Sequence, residues 1–167
     1  MRKSLFAVVA VAMLVFAGSA FAGKVGHAKL WEYDPNKTGD VVATWTKDGL
    51  SLQKNAATSV EVAAGATIKG VEGEKLESLS YEIKGDHCTG GAPRFNVVTD
   101  TATHFFGCIY GTTTSLDDGW KKVTFDDDVV GASGAFGSTM KGVDVVMDEE
   151  GQTLLRNLSV NGVVINK

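Results

Sequence analysis

Short runs of alternating apolar and polar residues recur along this chain. Between Glu77 and Ile83, for example, Leu79, Tyr81 and Ile83 alternate with polar residues. Successive side chains of a strand point to opposite faces, so this pattern predicts a strand with one buried and one solvated face. Such runs recur between turn signals, and sustained helical periodicity is absent after residue 22. The sequence therefore predicts an all-β, antiparallel domain.

The end of the chain gives the clearest local prediction. Asn161-Gly162 separates two apolar runs, and this pair supplies the positive φ angles that a two-residue type I′ hairpin requires. In that hairpin Val160 lies opposite Val163. Lys47-Asp48-Gly49 predicts a second hairpin, between residues 41–46 and 50–54.

A third hairpin is predicted between residues 94–99 and 103–110. Its expected register places Arg94 opposite Gly107 and His104 opposite Val97. Both residues are candidates for a ligand site, because they are expected to approach each other across the hairpin and because a glycine that faces an arginine leaves room for a ligand. The alternative is that the arginine side chain simply lies flat on the sheet.

Residues 111–119 and 131–138 are expected to be long surface loops, because they are rich in Gly, Ser and Thr. The remaining sequence accommodates about nine or ten strands. The expected architecture is therefore an antiparallel two-sheet β-sandwich of the jelly-roll type.

Residues 1–22 have the pattern of a secretory signal. Arg2 and Lys3 precede the apolar run from Leu5 to Phe16, and residues 18–22 then supply small residues at the two positions that a signal peptidase reads. The run is too short to span a membrane, which takes roughly 20 residues. We expect cleavage after Ala22, a single domain over residues 23–167, and a secreted or periplasmic protein that does not insert into the membrane.

The charge of the chain disfavours nucleic acid as a partner. The net charge is −4, and loss of Arg2 and Lys3 with the signal takes it to −6. A phosphate backbone would be repelled by such a chain unless it carried a strong basic patch, and the sequence has none.

In an oxidising compartment Cys88 and Cys108 are expected to form a disulfide. Closing a loop of about 20 residues would contribute roughly 3 kcal/mol in the chain-entropy model. A metal site is one alternative, and a catalytic thiol assisted by the neighbouring His87 is another.

Four segments carry a resemblance to a known group of proteins: residues 48–55, 88–98, 104–108 and 155–162. They resemble exported, mostly uncharacterised bacterial β-sandwich proteins that are similar in outline to jelly-roll carbohydrate-binding modules. The last strand of such modules often reads Leu-Asp-Asn-hydrophobic-x-Val-Asn-Gly. The acidic residue of that pattern can help to hold a structural calcium ion, and Arg156 stands in its place here. The resemblance therefore implies the sandwich fold and argues against calcium.

Aromatic residues are the main candidates for sugar binding, because flat rings stack on the apolar faces of pyranose rings. Trp31 and Tyr33 are two residues apart on one strand and are expected to share a face. Trp120 is expected to be the most exposed ring or to cover a sheet edge. The other candidates are Trp45 and Tyr110. The alternative for each ring is a place in the core.

Metal, cofactor and catalytic sites are not expected. His27, His87 and His104 never form a close pair on one element, and no zinc-ligand spacing occurs. Asp126-Asp127-Asp128 could hold calcium, but a solvated acidic strand end is the favoured interpretation. Catalytic sequence motifs are also absent.

The sequence thus predicts an exported, non-catalytic β-sandwich that binds a carbohydrate or a cell-surface partner. A structural or assembly component of the envelope or extracellular matrix is the alternative. A polysaccharide-acting enzyme is a third hypothesis, because glycosidase carboxylates meet in space and not in sequence.

Overall fold

The computed structural model describes residues 26–84, 88, 91–129 and 134–167. The predicted signal sequence lies outside the described residues. So do His87 and part of the predicted loop 131–138. No helix in the described part of the chain is long and apolar enough to cross a membrane.

The described residues are almost entirely strands, as predicted, but there are twelve of them instead of nine or ten. They are β1 (Gly26–Tyr33), β2 (Val41–Trp45), β3 (Leu50–Lys54), β4 (Ala63–Lys69), β5 (Leu79–Lys84), β6 (Arg94–Thr99), β7 (Thr103–Gly107), β8 (Thr112–Ser115), β9 (Trp120–Phe125), β10 (Met140–Met147), β11 (Gly151–Val160) and β12 (Val163–Asn166). Two single 3-10 turns, Cys108–Tyr110 and Asp117–Gly119, flank β8. The predicted loop 111–119 is wrong at β8, where threonines favour extended backbone and pair with β9.

The twelve strands form one curled, mixed sheet. Its order is β7-β6-β10-β4-β1-β12-β11-β5-β9-β8, and β3 pairs beside β11 with β2 beyond it. All strand pairs in the described residues are antiparallel except β1 and β12, which are parallel. The expected purely antiparallel arrangement is wrong at this pair. It joins the two ends of the described chain, and alternation within each strand carries no information about it.

The registers of the hairpins agree with those predicted from the sequence. Val160 lies opposite Val163, Arg94 opposite Gly107, and Val97 opposite His104. Strands β2 and β3 also form the predicted hairpin. Turn type and alternation fix these registers, because a slip of one residue would turn every buried side chain to solvent.

A cluster of aromatic rings fills the core between the inward sides of β6 and β7 and those of β5 and β9. The ring centroids of Tyr81 and Phe95 are 5.3 Å apart, and those of Phe106 and Phe125 are 5.9 Å apart. The Tyr81 hydroxyl donates a hydrogen bond of 2.8 Å to the Pro93 carbonyl. Full burial of each such side chain contributes roughly 1.5–3 kcal/mol, so this cluster is a main source of stability.

Cys88 and Cys108 form the predicted disulfide, with their Cα atoms 5.6 Å apart. The bond links the segment before β6 to the 3-10 turn that follows β7. Cys108 is buried. This bond overturns the two alternatives of a metal site and a catalytic thiol at these cysteines.

Candidate functional site

Five neighbouring strands, β7, β6, β10, β4 and β1, turn one side to the core and the other outward. Their inward side chains, such as Phe95, Val145 and Ala66, are fully buried. The register aligns the outward residues in two rows across the strands. The first row is Gly107, Arg94, Val146, Gly65 and Trp31, and the second is Phe105, Asn96, Asp144, Thr67 and Lys29. We call these ten residues, with Tyr33 and Asp148, the β1–β7 face.

Trp31 lies across the surface of this face. The six-membered part of its ring covers Gly65, where any Cβ atom would overlap the ring. The indole Nε1 of Trp31 donates to Oδ1 of Asp144 at 3.3 Å, and the Thr67 hydroxyl donates to the same oxygen at 2.6 Å. Close packing and hydrogen bonding therefore fix the orientation of a half-buried ring.

Arg94 is fixed as firmly on β6. Its two Nη groups donate to the two carboxylate oxygens of Asp148, each at 2.6 Å. Its Nε donates to the side-chain oxygen of Asn96 at 2.9 Å. The guanidinium also lies 5.6 Å from the ring centroid of Phe105, which is 53% exposed. A bidentate ion pair of this kind is strong and directional, so the side chains of Arg94, Asp148 and Asn96 are held in place.

The face is long enough for an extended ligand. Neighbouring strands lie about 4.8 Å apart, so the four steps from β1 to β7 separate the strands of Trp31 and Phe105 by about 19 Å. Aromatic rings thus lie at both ends of the face, and hydrogen-bonding groups lie between them.

A depression of about 290 Å³ opens beside Tyr33 at one end of the face. Asp148, Lys54 and the segment 58–63 complete its lining. Tyr33 itself is 53% exposed. The predicted shared face of Trp31 and Tyr33 is therefore present, with one ring fixed and the other accessible.

Lys54 forms the inner wall of this depression. Its side chain is 1% exposed, and its Nζ donates to the carbonyls of Thr58, Val60 and Asp148 at 3.2, 2.7 and 2.7 Å. The ammonium group has three donors, and all three find acceptors. Lys54 thereby ties the segment 58–60 to the backbone of the residue that holds Arg94.

Trp120 lies on the outward side of another part of the sheet. It is 4% exposed, so the expectation that it is the most exposed ring is wrong. Its predicted outward side is correct, but the Arg156 guanidinium lies 3.9 Å from the ring centroid and the Lys84 Nζ lies 5.5 Å from it. Cations above an aromatic ring are attracted to it, and these two long side chains cover the indole.

Glu82 holds Arg156 above Trp120. Its carboxylate accepts from Nε of Arg156 at 2.6 Å and from Nδ2 of Asn157 at 2.9 Å. Partial burial opposes ionisation of this carboxyl, but the hydrogen bonds from Asn157 and Arg156, together with the positive charges of Arg156 and Lys122, outweigh that effect and keep the pKa of Glu82 below its usual range.

The remaining predicted ligand residues are not part of one site. Trp45 packs partly buried against the core. Tyr110 is exposed on the 3-10 turn after β7, beside Gly107. His104 is buried on the inward side, with its Nε2 3.5 Å from the Thr99 hydroxyl. His104 and Arg94 therefore point to opposite faces of the hairpin, which corrects their expected approach.

Sequence reasoning did not select Phe105, Asp144, Asp148 or Lys54 as site residues. Alternation places the side chain of Phe105 on the other face of β7 from His104, and it places Asp144 on the solvated side of β10. These two signals were readable in the sequence. Their assembly depends on the order of β6, β10, β4 and β1, which no local pattern contains.

Among the described residues, one acidic group has its carboxylates within 4.8 Å of one another: Asp126, Asp127 and Asp128. All three side chains are exposed at the end of β9. Exposed acidic groups of this kind are common in proteins without a bound cation.

The β1–β7 face thus combines one fixed ring, two accessible rings and a rigid polar network on a single side of the sheet. Family models and curated proteins that were compared with this chain give no match.

Proposed function

We propose that this chain is an exported, non-catalytic β-sandwich protein of the jelly-roll type that binds a carbohydrate on its β1–β7 face. The observation that carries the proposal is the alignment of Trp31 and Arg94 in one row of this face, next to Asp144 in the second row. Rings supply the apolar contact that sugar rings require, and fixed polar groups supply partners for hydroxyls.

Rigidity supports a binding role. Asp144 and Asp148 are each hydrogen-bonded to other side chains of the face. Binding to groups that are already fixed costs little side-chain entropy, which favours affinity. Both carboxylates keep further lone pairs that can accept from sugar hydroxyls.

The sandwich form and export are part of the same proposal. Side chains from the inward sides of β6 and β7 pack against those from β5 and β9, which is the arrangement expected of two stacked layers. A disulfide is typical of proteins outside the cytosol, which is consistent with the signal pattern in residues 1–22.

Glycan-array binding tests this function. We expect the folded protein to bind a defined group of glycans and the Trp31→Ala and Tyr33→Ala variants to lose on the order of tenfold in affinity. Val42→Ala is the control, because Val42 is an exposed apolar residue on β2, outside the face. Absence of glycan binding, or equal affinity of all four proteins, would contradict the proposal.

A second candidate function is assembly with other proteins of the envelope or matrix. The observation that favours it is a set of exposed apolar side chains at the β7 end of the sheet: Phe105, Ile109 and Tyr110. Strand β7 also ends the sheet, and such edges can pair with another strand. Sedimentation that depends on concentration, and that is abolished by Ile109→Ser, would favour this function over glycan binding.

A further inference from the structure

A second depression, of about 760 Å³, lies on the outward side of β5, β9 and β11, and none of its lining belongs to the β1–β7 face. Its lining residues are Lys47, Asp48, Lys84, Asp118, Trp120 and Arg156. Lys84 lies directly opposite Trp120 across the β5–β9 pair, and Glu82, which holds Arg156, is also on β5. Half of the lining residues, Lys84, Trp120 and Arg156, therefore lie on strands.

Arg156 offers unused hydrogen-bond donors to this depression. The pairing of β11 with β5 shifts between Arg156 and Ser159, where Asn157 has a φ of 50°. This irregularity accompanies the placement of the guanidinium over Trp120, while Nε donates to Glu82. Among the residues that the structure describes, its two Nη groups form no hydrogen bond, whereas Nε is bonded to Glu82. The paired donors of a guanidinium match the two oxygens of a carboxylate.

Lys84 provides a second cation. Its Nζ lies over the Trp120 ring, and within the described ranges it has no carboxylate or carbonyl partner. Lys47, at the rim, is different because its Nζ is 3.0 Å from the carboxylate of Asp48. Two cationic groups beside Trp120 therefore retain donors for a ligand.

The balance of charge among the lining residues favours a ligand with a single negative charge. Three cations and two carboxylates, Asp48 and Asp118, line the depression. A polyanion would meet repulsion from these carboxylates, whereas a hydroxylated ligand could donate to them. Since Arg156 covers Trp120, the ring supports the guanidinium and is not a stacking surface for the ligand.

We infer that this depression is a second binding site, which takes a sugar acid with one carboxylate between Arg156 and Lys84 and with hydroxyls near Asp118 and Asp48. The site goes beyond the proposed function, because it lies on different strands and selects an acidic sugar. A failed test of one site therefore leaves the proposal for the other site unaffected.

Titration with glucuronate, glucose and acetate tests the inference. The probe is the indole NH signal of Trp120 in a ¹⁵N–¹H correlation spectrum, to which each of the three tryptophans contributes one indole signal. We expect glucuronate to shift the Trp120 signal, and glucose and acetate to shift it only at much higher concentrations. Equal responses to glucuronate and glucose would overturn the inference, and so would equal responses to glucuronate and acetate.

Variants of exposed residues complete the test. Lys84→Gln should weaken glucuronate binding about three- to tenfold, as expected for loss of one partly exposed ionic contact. Lys141→Gln, which removes the same charge from an exposed position on β10, should bind as the wild type does. Equal affinity of Lys84→Gln and Lys141→Gln would overturn the site. Arg156→Gln should lose binding, and its thermal unfolding curve would separate lost contacts from a lost fold.

Discussion

Arg94 and Asp148 form a bidentate ion pair in which both N–O distances are 2.6 Å. The two residues are on neighbouring strands or just beyond them, 54 positions apart in sequence. Because Nε of the same guanidinium donates to the side chain of Asn96, the pair fixes the middle of the β1–β7 face.

Asp148→Asn is expected to lower the free energy of unfolding by about 1–3 kcal/mol. The substitution keeps the shape of the side chain but leaves the partly buried guanidinium of Arg94 without its charge partner. Urea unfolding measures the loss. Asp128→Asn, at an exposed aspartate, should change stability by less than about 0.5 kcal/mol. Equal losses in the two variants would show that the ion pair contributes nothing.

Lys54→Met is expected to lower the free energy of unfolding by about 2–4 kcal/mol. Methionine fills much of the same volume but leaves the carbonyls of Thr58 and Asp148 without this donor. Hydrogen exchange in residues 58–62 should accelerate, because Lys54 ties that segment to the rest of the fold. Lys141→Met is the control at an exposed lysine, and unchanged exchange in Lys54→Met would refute the role of the ammonium group.

Acid should destabilise the protein partly through Glu82. Its folded pKa lies below the value of about 4.5 for the free side chain, because the hydrogen bonds from Asn157 and Arg156 and the charges of Arg156 and Lys122 together outweigh the effect of burial. The carboxylate therefore contributes stability above pH 4.5, and this contribution is lost as the pH falls through the folded pKa. Thermal unfolding of the wild type and of Glu82→Gln checks this. The difference in Tm between them should be larger at pH 7 than at pH 3, and a difference independent of pH would contradict the account.

Loss of the disulfide is expected to lower the free energy of unfolding by about 3 kcal/mol, as the chain-entropy model gives for a loop of this length. The comparison is between the wild type and a Cys88→Ala, Cys108→Ala double variant under denaturant. Thiol titration of the unfolded wild type should detect no free cysteine, since both cysteines are paired. Two reactive thiols in the isolated protein would contradict the structure.

Local patterns were sufficient for much of the fold. The Asn161-Gly162 turn and the alternation around it determine that Val160 faces Val163. The same reasoning places Arg94 opposite Gly107. Each of these predictions needs only a turn type and a buried face, both of which a few neighbouring residues encode.

Features that depend on distant segments were not predictable in this way. Lys54 lies on the buried side of β3 with Leu50 and Leu52, and its ammonium group is accommodated there because carbonyls from residues 58, 60 and 148 converge on it. Trp120 is on its predicted side, but Arg156 from another strand covers it. The same limit explains why Trp31 was a candidate while its partner Asp144 was not.

The indole NH signals of the three tryptophans test glycan binding at the β1–β7 face most directly, with a neutral glycan selected on the array as the titrant. Trp31 lies on the face, whereas Trp45 packs against the core and Trp120 lies on other strands. We expect the signal of Trp31 to shift in a saturable way while those of Trp45 and Trp120 stay in place. A saturable shift of Trp45 or Trp120 without one of Trp31 would show that the glycan binds elsewhere on the protein.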